Sequence, residues 1–427
     1  MKLQDGLFLP ASFAMPEAGA QNKMLVGDLD GDGRMELLMV QADGGIDDRY
    51  APHQTVCLTA YDLDGKLLWQ KGRPAANPGR SGSDFPAQIA DIDGDGCIEV
   101  LCVMDKRFLV LDGATGETKR SFPLPGPEAH DCILIANLSG GEYASDILLK
   151  DRYRNLWALD RDFNLLWTHE GNLGHFPWVH DWDGDGRDEV MAGYDMLGPD
   201  GAVRWSCRDL DDHADCIWTG DVDGSGEERI VIGGSVTVML DRLGAELWRY
   251  DGSIESQHVS LGRFRDDMPG LQVAGLDRIV RGDTDGSWSE SGRDAIFLLD
   301  REGRELWTET RRTPGWLTIV ETLRGWDDSG RDYILAYRRG GGIRPTLYDG
   351  HLREALTFPV DGLAVHADLT GSGRTHMLLH NEDGVFIYAS SEGELKASNP
   401  GVPLVQPRRL SRSTLYPGGE YRLLPPY

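Results

Sequence analysis

Three stretches of this sequence repeat one arrangement of carboxylates. In DLDGDGRME, Asp28, Asp30, Asp32 and Glu36 stand at positions 1, 3, 5 and 9 of a short loop. Asp91, Asp93, Asp95 and Glu99 keep that spacing, and so do Asp181, Asp183, Asp185 and Glu189. Alternate carboxylates on a glycine-curled loop converge on a hard cation, with the carbonyl of position 7 as a further oxygen ligand. Position 7 varies in identity (Arg34, Cys97, Arg187), which suits a backbone contribution. The helix-flanked calcium loop that ends on a glutamate at its twelfth residue is a different device, and neither feature is present. The spacing therefore predicts about three structural Ca²⁺ sites. The loop at Asp221 keeps Asp223 and Ser225 but has Arg229 at position 9. Those at Asn137, Arg263, Gly325 and Asp368 have lost more carboxylates and read as turns without metal.

A second inventory suits proton transfer and anion binding. His130, His175, His213 and His258 each stand five to eight residues ahead of one of these loops, four of the eleven histidines in one slot. Arg152, Tyr153, Tyr194 and Arg208 occupy neighbouring connections, and Arg278 and Arg338 lie on later ones. Taken alone, each reads as a hydrogen-bonded surface residue, and Arg338 beside Arg339 as solvated charge. Together they offer imidazole and phenol for acid–base work and guanidinium for a carboxylate.

The elements that must position these groups are legible as a repeat. Each Asp loop lies between two short Val/Ile/Leu-rich runs, and each is followed by a hairpin signature, such as LTAYDLDGKLLW or FLLDREGRELW, often ending in Trp. Eight loops alternate with eight hairpins at spacings of 40 to 63 residues. Four strands per unit, with no helical periodicity, predict an all-β fold: a β-propeller of four-stranded blades, eight most simply and seven as the alternative. Blades start near residues 24, 87, 131, 176, 214, 257, 317 and 364. Nothing linker-like divides residues 1–427, so one domain is expected, its two ends closing and capping the ring. In such a blade all Asp loops share one face, and the His, Tyr and Arg inventory gathers on the other.

Composition narrows the partners. The chain carries a formal charge of −27, which argues against a phosphate-backbone partner or an anionic lipid surface. No apolar run reaches the ~18 residues of a membrane span, and the N-terminal stretch lacks an apolar signal core. Six irregularly spaced cysteines read as reduced thiols. A cytoplasmic monomer is the expectation, or a secreted one if a leader has been removed.

The Asp loops resemble the FG-GAP-type calcium repeats of integrin-like propellers. With the stretch GHFPWVHDWDGDGRDEVMAGYDMLGPDGAVRW and the starts DDHADCIWTGD and SQHVSLGRFRDDMPGLQV, the chain resembles calcium-loop propeller lyases of the rhamnogalacturonan, ulvan and rhamnose–glucuronate type. That resemblance implies β-elimination on a uronic-acid polysaccharide. A base removes the C5 proton, a cation or strong donor neutralises the uronate carboxylate, and an acid protonates the leaving oxygen. On this reading His130, His175 and Tyr194 supply base or acid, Arg208 neutralises the carboxylate, and His213 orients the sugar. His258, Arg152, Tyr153, Arg278 and Arg338 bind substrate. A second metal on the rim is left open. A hydrolase releasing rhamnose from glucuronate and a non-catalytic carbohydrate- or protein-binding propeller are the alternatives.

Overall fold

In the computed structural model, the residues described are 2–4, 6–79, 84–207, 210, 213–278, 294–310, 318–338, 342–393, 395 and 418–421. They form 34 strands and no helix, arranged as eight sheets. The expected eight-bladed propeller is what the chain forms. The innermost strands of blades 1 to 8 are Lys23–Gly27, Ala87–Ala90, Cys132–Ala136, Trp178–His180, Cys216–Gly220, Ser256–Gly262, Thr318–Leu323 and Leu363–Ala367. Within blades 1 to 7 the four strands follow in chain order, each antiparallel to the last. Innermost and second strands are buried on both faces, which is why they read as near-continuous apolar runs.

The N-terminal end closes the ring, as expected, and the last hairpin departs from expectation. The eighth blade takes its outer strand from Leu7–Phe13 at the N-terminus, antiparallel to Gly384–Ala389, with Lys2–Gln4 beyond it. Residues 390–393 therefore form no hairpin arm. Closing the ring with the other end of the chain ties blade 8 to blade 1 without an exposed edge. The short strand Gly419–Tyr421 runs parallel to Cys216–Gly220, inside blade 5, and does not complete the ring. Its Tyr421 hydroxyl donates to Asp332 Oδ2 at 2.7 Å, and the Arg324 guanidinium lies 4.1 Å from its ring centre.

Blades are joined by the tryptophans of the hairpin signature. The Trp69 indole N–H donates to the Gly113 carbonyl in the next blade's hairpin at 2.7 Å. Trp167 to Pro199, Trp205 to Arg242, Trp248 to Arg301 and Trp307 to Gly350 repeat that hook at 2.9 to 3.1 Å. Blade 2 has Arg120 in this place, and its guanidinium reaches Asp162 of blade 3's hairpin at 3.1 Å. Four of the five indoles lie over a hairpin glycine: a Cβ on Gly116, Gly201, Gly244 or Gly303 would lie within 2.6 Å of the preceding blade's indole. All four have φ between 69° and 83°, so a side chain there is excluded twice over. The core is accordingly a succession of inter-blade layers, such as Leu25, Leu38, Val100 and Leu111 around Trp69.

Replacing Trp69 by Phe keeps most of the packing and removes the hook, for an expected loss of about 1 kcal/mol. Trp69→Ala should cost about 3–5 kcal/mol. Equal losses for the two variants in denaturant unfolding would show that the indole hydrogen bond contributes nothing.

Candidate functional site

The Asp loops build themselves from their own side chains. Asp28 accepts the amides of Gly31 and Gly33 at 2.9 and 3.1 Å, and Asp91, Asp181 and Asp221 make the same pair of bonds. The glutamate at position 9 closes the loop by accepting the amide of position 2: Glu36 from Leu29, Glu99 from Ile92, Glu189 from Trp182, at 2.7 to 3.0 Å. Eroded loops keep the closure with other acceptors, Asp146, Gln272 and His376. Carboxylate oxygens of Asp28, Asp30 and Asp32 converge, as do those of Asp91, Asp93 and Glu99 and those of Asp181, Asp183 and Glu189. Burial first, then the neighbouring acids, push Glu36 up to about 8 and Glu189 up to about 7. Asp95 and Asp185 lie at their loop tips, accepting the amides of Cys97 and Arg187.

On the opposite face, connections entering innermost strands bring a separate cluster together. His175 precedes blade 4's innermost strand and His213 blade 5's. Their Nε2 atoms are 3.1 Å apart. Asp215, fully buried, places Oδ1 at 3.4 and 3.5 Å from those two nitrogens. The three atoms form a nearly equilateral triangle, the spacing of ligands about 2 Å from one ion in a nitrogen- and oxygen-liganded site. The Tyr153 ring packs edge-on against both imidazoles, 5.4 and 5.7 Å from their centres. Burial raises its phenol pKa, opposed by the adjacent Arg152.

Paired charges flank this centre. Asp131 accepts from Lys150 at 2.6 Å and from Arg152 at 2.8 Å, all three buried. Arg278 pairs with Glu255. Burial, then the charge of Asp215, push Glu255 up to about 7, with Arg278 and His213 pulling the other way. His130 lies beside the Asp131 group; its Nδ1 is 3.0 Å from the His53 carbonyl, and burial lowers its pKa. Between blades 1 and 8 the same face holds a cavity of about 350 Å³ lined by Asn22, Asp361, Leu363, Asn381 and Asp383. There the Oδ1 of buried Asn22 has no hydrogen-bond partner.

Two expected site residues are corrected. His258 lies within its strand, not ahead of it, and is fully buried with its Nδ1 accepting the Val320 amide at 3.3 Å; it is a core histidine. Tyr194 is the second residue of the two-residue turn Gly193-Tyr194, and its side chain folds into the layer between blades 4 and 5, where its hydroxyl donates to the His213 carbonyl at 3.3 Å. It buttresses the 213 segment, and Tyr153 stands where a rim phenol was expected. Arg338 ends the second strand of blade 7, apart from the cluster. Arg208 lies outside the described residues. Sequence reading passed over Asp131, Lys150, Asp215 and Glu255, although His130-Asp131 and His213-x-Asp215 carry the signal of an acid next to a slot histidine.

No family profile matches the chain. It is 28% identical over 267 residues to the rhamnogalacturonan endolyase YesW of Bacillus subtilis, covering 47% of this chain and 42% of that protein. It is 25% identical over 289 residues to the exolyase YesX of the same organism, covering 51% and 46%. The chain is a homologue of rhamnogalacturonan lyases. It spans less than half the length of these curated relatives within the matched regions. In three dimensions it superposes on the crystal structure of YesX with a TM-score of 0.67 at 20% identity, covering 92% of this chain and 78% of that one. The Bacillus licheniformis lyase PL11 gives 0.63 at 19%, covering 93% and 76%. The Vibrio cholerae biofilm matrix protein Bap1 has the same fold, at 0.60 and 15% identity, covering 93% and 92%.

The 175 segment reaches the cluster through a tight approach, its His175 amide donating to the Ala214 carbonyl at 2.9 Å. A Cβ on Gly174, at φ +64°, would lie 2.2 Å from that oxygen. Gly174→Ala should therefore cost about 1–3 kcal/mol and separate the two imidazoles. Unchanged stability, with unchanged histidine NMR titrations, would contradict that placement.

Proposed function

We propose that this chain is a polysaccharide lyase that cleaves a rhamnogalacturonan-type chain at its uronate by β-elimination. The observation that carries the reading is the His175–His213–Asp215 triangle beside Tyr153, on the rim of a propeller homologous to such lyases. The uronate C5 proton is too weakly acidic to remove unless the adjacent carboxylate is neutralised. A divalent cation held by His175, His213 and Asp215, with Glu255 nearby, supplies that neutralisation when bound. Arg152 and Arg278, each held by a buried acid, direct positive charge at the same carboxylate. His130, kept neutral by burial, is suited to accept the C5 proton. Tyr153, whose phenol keeps its proton at neutral pH, is suited to protonate the leaving glycosidic oxygen.

On rhamnogalacturonan oligosaccharides the chain should release a product absorbing in the ultraviolet as an unsaturated uronate, with no mass gained. A product heavier by one water would mean hydrolysis and would sink the lyase reading. Tyr153→Phe and His130→Ala should each lower kcat by about 10²–10⁴-fold with little change in KM. Parallel, gradual losses of affinity with no turnover in the parent chain would instead mark a binding module.

On the opposite face, complete Asp loops are proposed as structural calcium sites, because each gathers four carboxylates whose charge nothing in the turn itself cancels. A chelator should lower the melting temperature by several degrees, and added Ca²⁺ should restore it. A melting curve indifferent to chelator would remove calcium from the account.

A further inference from the structure

The outer strand of each of blades 1 to 7 carries a one-residue bulge just after its hairpin. In blade 1, Leu67 pairs with Tyr61 and Trp69 with Ala60, leaving Leu68 as the extra residue. The same step leaves Leu166 in blade 3, Leu247 in blade 5 and Leu306 in blade 6. In blade 4 the extra residue is Arg204, which turns to Asp200 of its own hairpin at 3.3 Å. Blade 2 differs from all of these. Thr118 pairs with Leu111 and Arg120 with Val110, so the bulged residue is Lys119. A bulge re-aims the side chain it carries, and this one is aimed into the Asp loop of its own blade. The ammonium lies 2.5 Å from Glu99 Oε1, 3.0 Å from Asp93 Oδ2 and 3.7 Å from Asp95 Oδ2.

Two of these, Asp93 and Glu99, belong with Asp91 to the convergent set that a calcium ion would draw to about 2.3–2.6 Å, and Asp95 stands at the same loop's tip. An ion there has to displace the ammonium and break its contacts first. The other two complete loops send their position-seven arginines outward: Arg34 to Asp64 at 3.4 Å, and Arg187 alongside Gly140 of blade 3. A second loop shows the same substitution in another form. In the loop at Asp221, Arg229 takes the place of the position-nine glutamate and puts its guanidinium 3.5 Å from Asp223 and 2.9 Å from Glu227.

We propose that Lys119 is the resident cation of the loop 91–99, so that only the loops 28–36 and 181–189 are tight calcium sites. The proposal rests on the reading of complete Asp loops as calcium sites and sharpens it: the fold needs a positive charge in these loops, and blades 2 and 5 supply theirs from the chain. The expectation of three equivalent calcium loops is thereby reduced to two.

The test counts calcium bound by the calcium-stripped full chain in isothermal titration, for wild type, Asp30→Asn, Asp183→Asn, Asp93→Asn, Lys119→Met and Lys119→Arg. Asp30→Asn and Asp183→Asn should each lose one ion, and Asp93→Asn should lose none. Lys119→Met should gain one, while Lys119→Arg keeps the wild-type count. Melting in chelator should fall for Lys119→Met relative to wild type and recover with Ca²⁺, a readout that separates loss of the ammonium from a failure to fold. Loss of an ion in Asp93→Asn, or no gain in Lys119→Met while the other two loops each lose theirs, would overturn the role of Lys119. No loss in Asp30→Asn or Asp183→Asn would overturn the calcium reading beneath it, and the proposal with it.

Discussion

A ring of eight sheets holds only if every blade finishes its neighbour, and the hairpin hook is where that requirement is met. An indole N–H reaches across to the next hairpin's carbonyl, and a glycine beneath it lets the ring lie flat on the turn. Where the indole is missing, the contact is kept by other means. Arg120 makes it with a guanidinium, and Phe13, from the strand that closes the ring, lies against Gly65 of blade 1. All of these contacts sit on the outer part of the Asp-loop face. The opposite face carries no hook, so its connections were free to take up chemistry without loosening the ring.

The Asp-loop face separates shape from charge. Aspartate and glutamate oxygens accept the loop's own amides, so the turns are specified by hydrogen bonds alone. Loops that have lost their acids still close, with His376 or Gln272 in the glutamate's place. What an eroded loop gives up is negative charge, not geometry. A complete loop buries its glutamate beside like charges, and burial first, then those charges, raises Glu36 and Glu189 well above the ordinary carboxylate range. A cation is the remedy for that repulsion, and the chain can provide one covalently or take one from solution.

Much of this was legible in the sequence, and the failures share one cause. The repeat fixed blade number because each unit buries the same apolar pattern and turns at the same acidic loop. The slot ahead of the innermost strand picked out His130, His175 and His213 correctly as neighbours of the rim. His258 was misplaced because its strand starts two residues before it, and a strand boundary is what pattern reading places least well. A shift of that size moves a side chain from the rim into the core. Tyr194 failed for a related reason: it sits in a tight two-residue turn that tucks its ring between blades 4 and 5, whereas the longer connection 151–154 leaves Tyr153 beside the imidazoles. Asp215 and Asp131 could have been seen next to their histidines, but Glu255, just ahead of blade 6's innermost strand, joins them only through the packing of blade 6 on blade 5.

The charge of the rim explains why a cation belongs in the proposed mechanism. Asp131, Lys150 and Arg152 together carry one positive charge in excess, enough to attract a uronate. Around His175 and His213 the described residues place two acids, Asp215 and Glu255, with Arg278 paired to Glu255. A cation held at the triangle, as proposed, would offset Asp215 and keep that half of the rim receptive to a carboxylate. A net charge of −27 is therefore no bar to the acidic polymer proposed as substrate, because the sign that decides is set within a few ångströms of the triangle and not by the net charge.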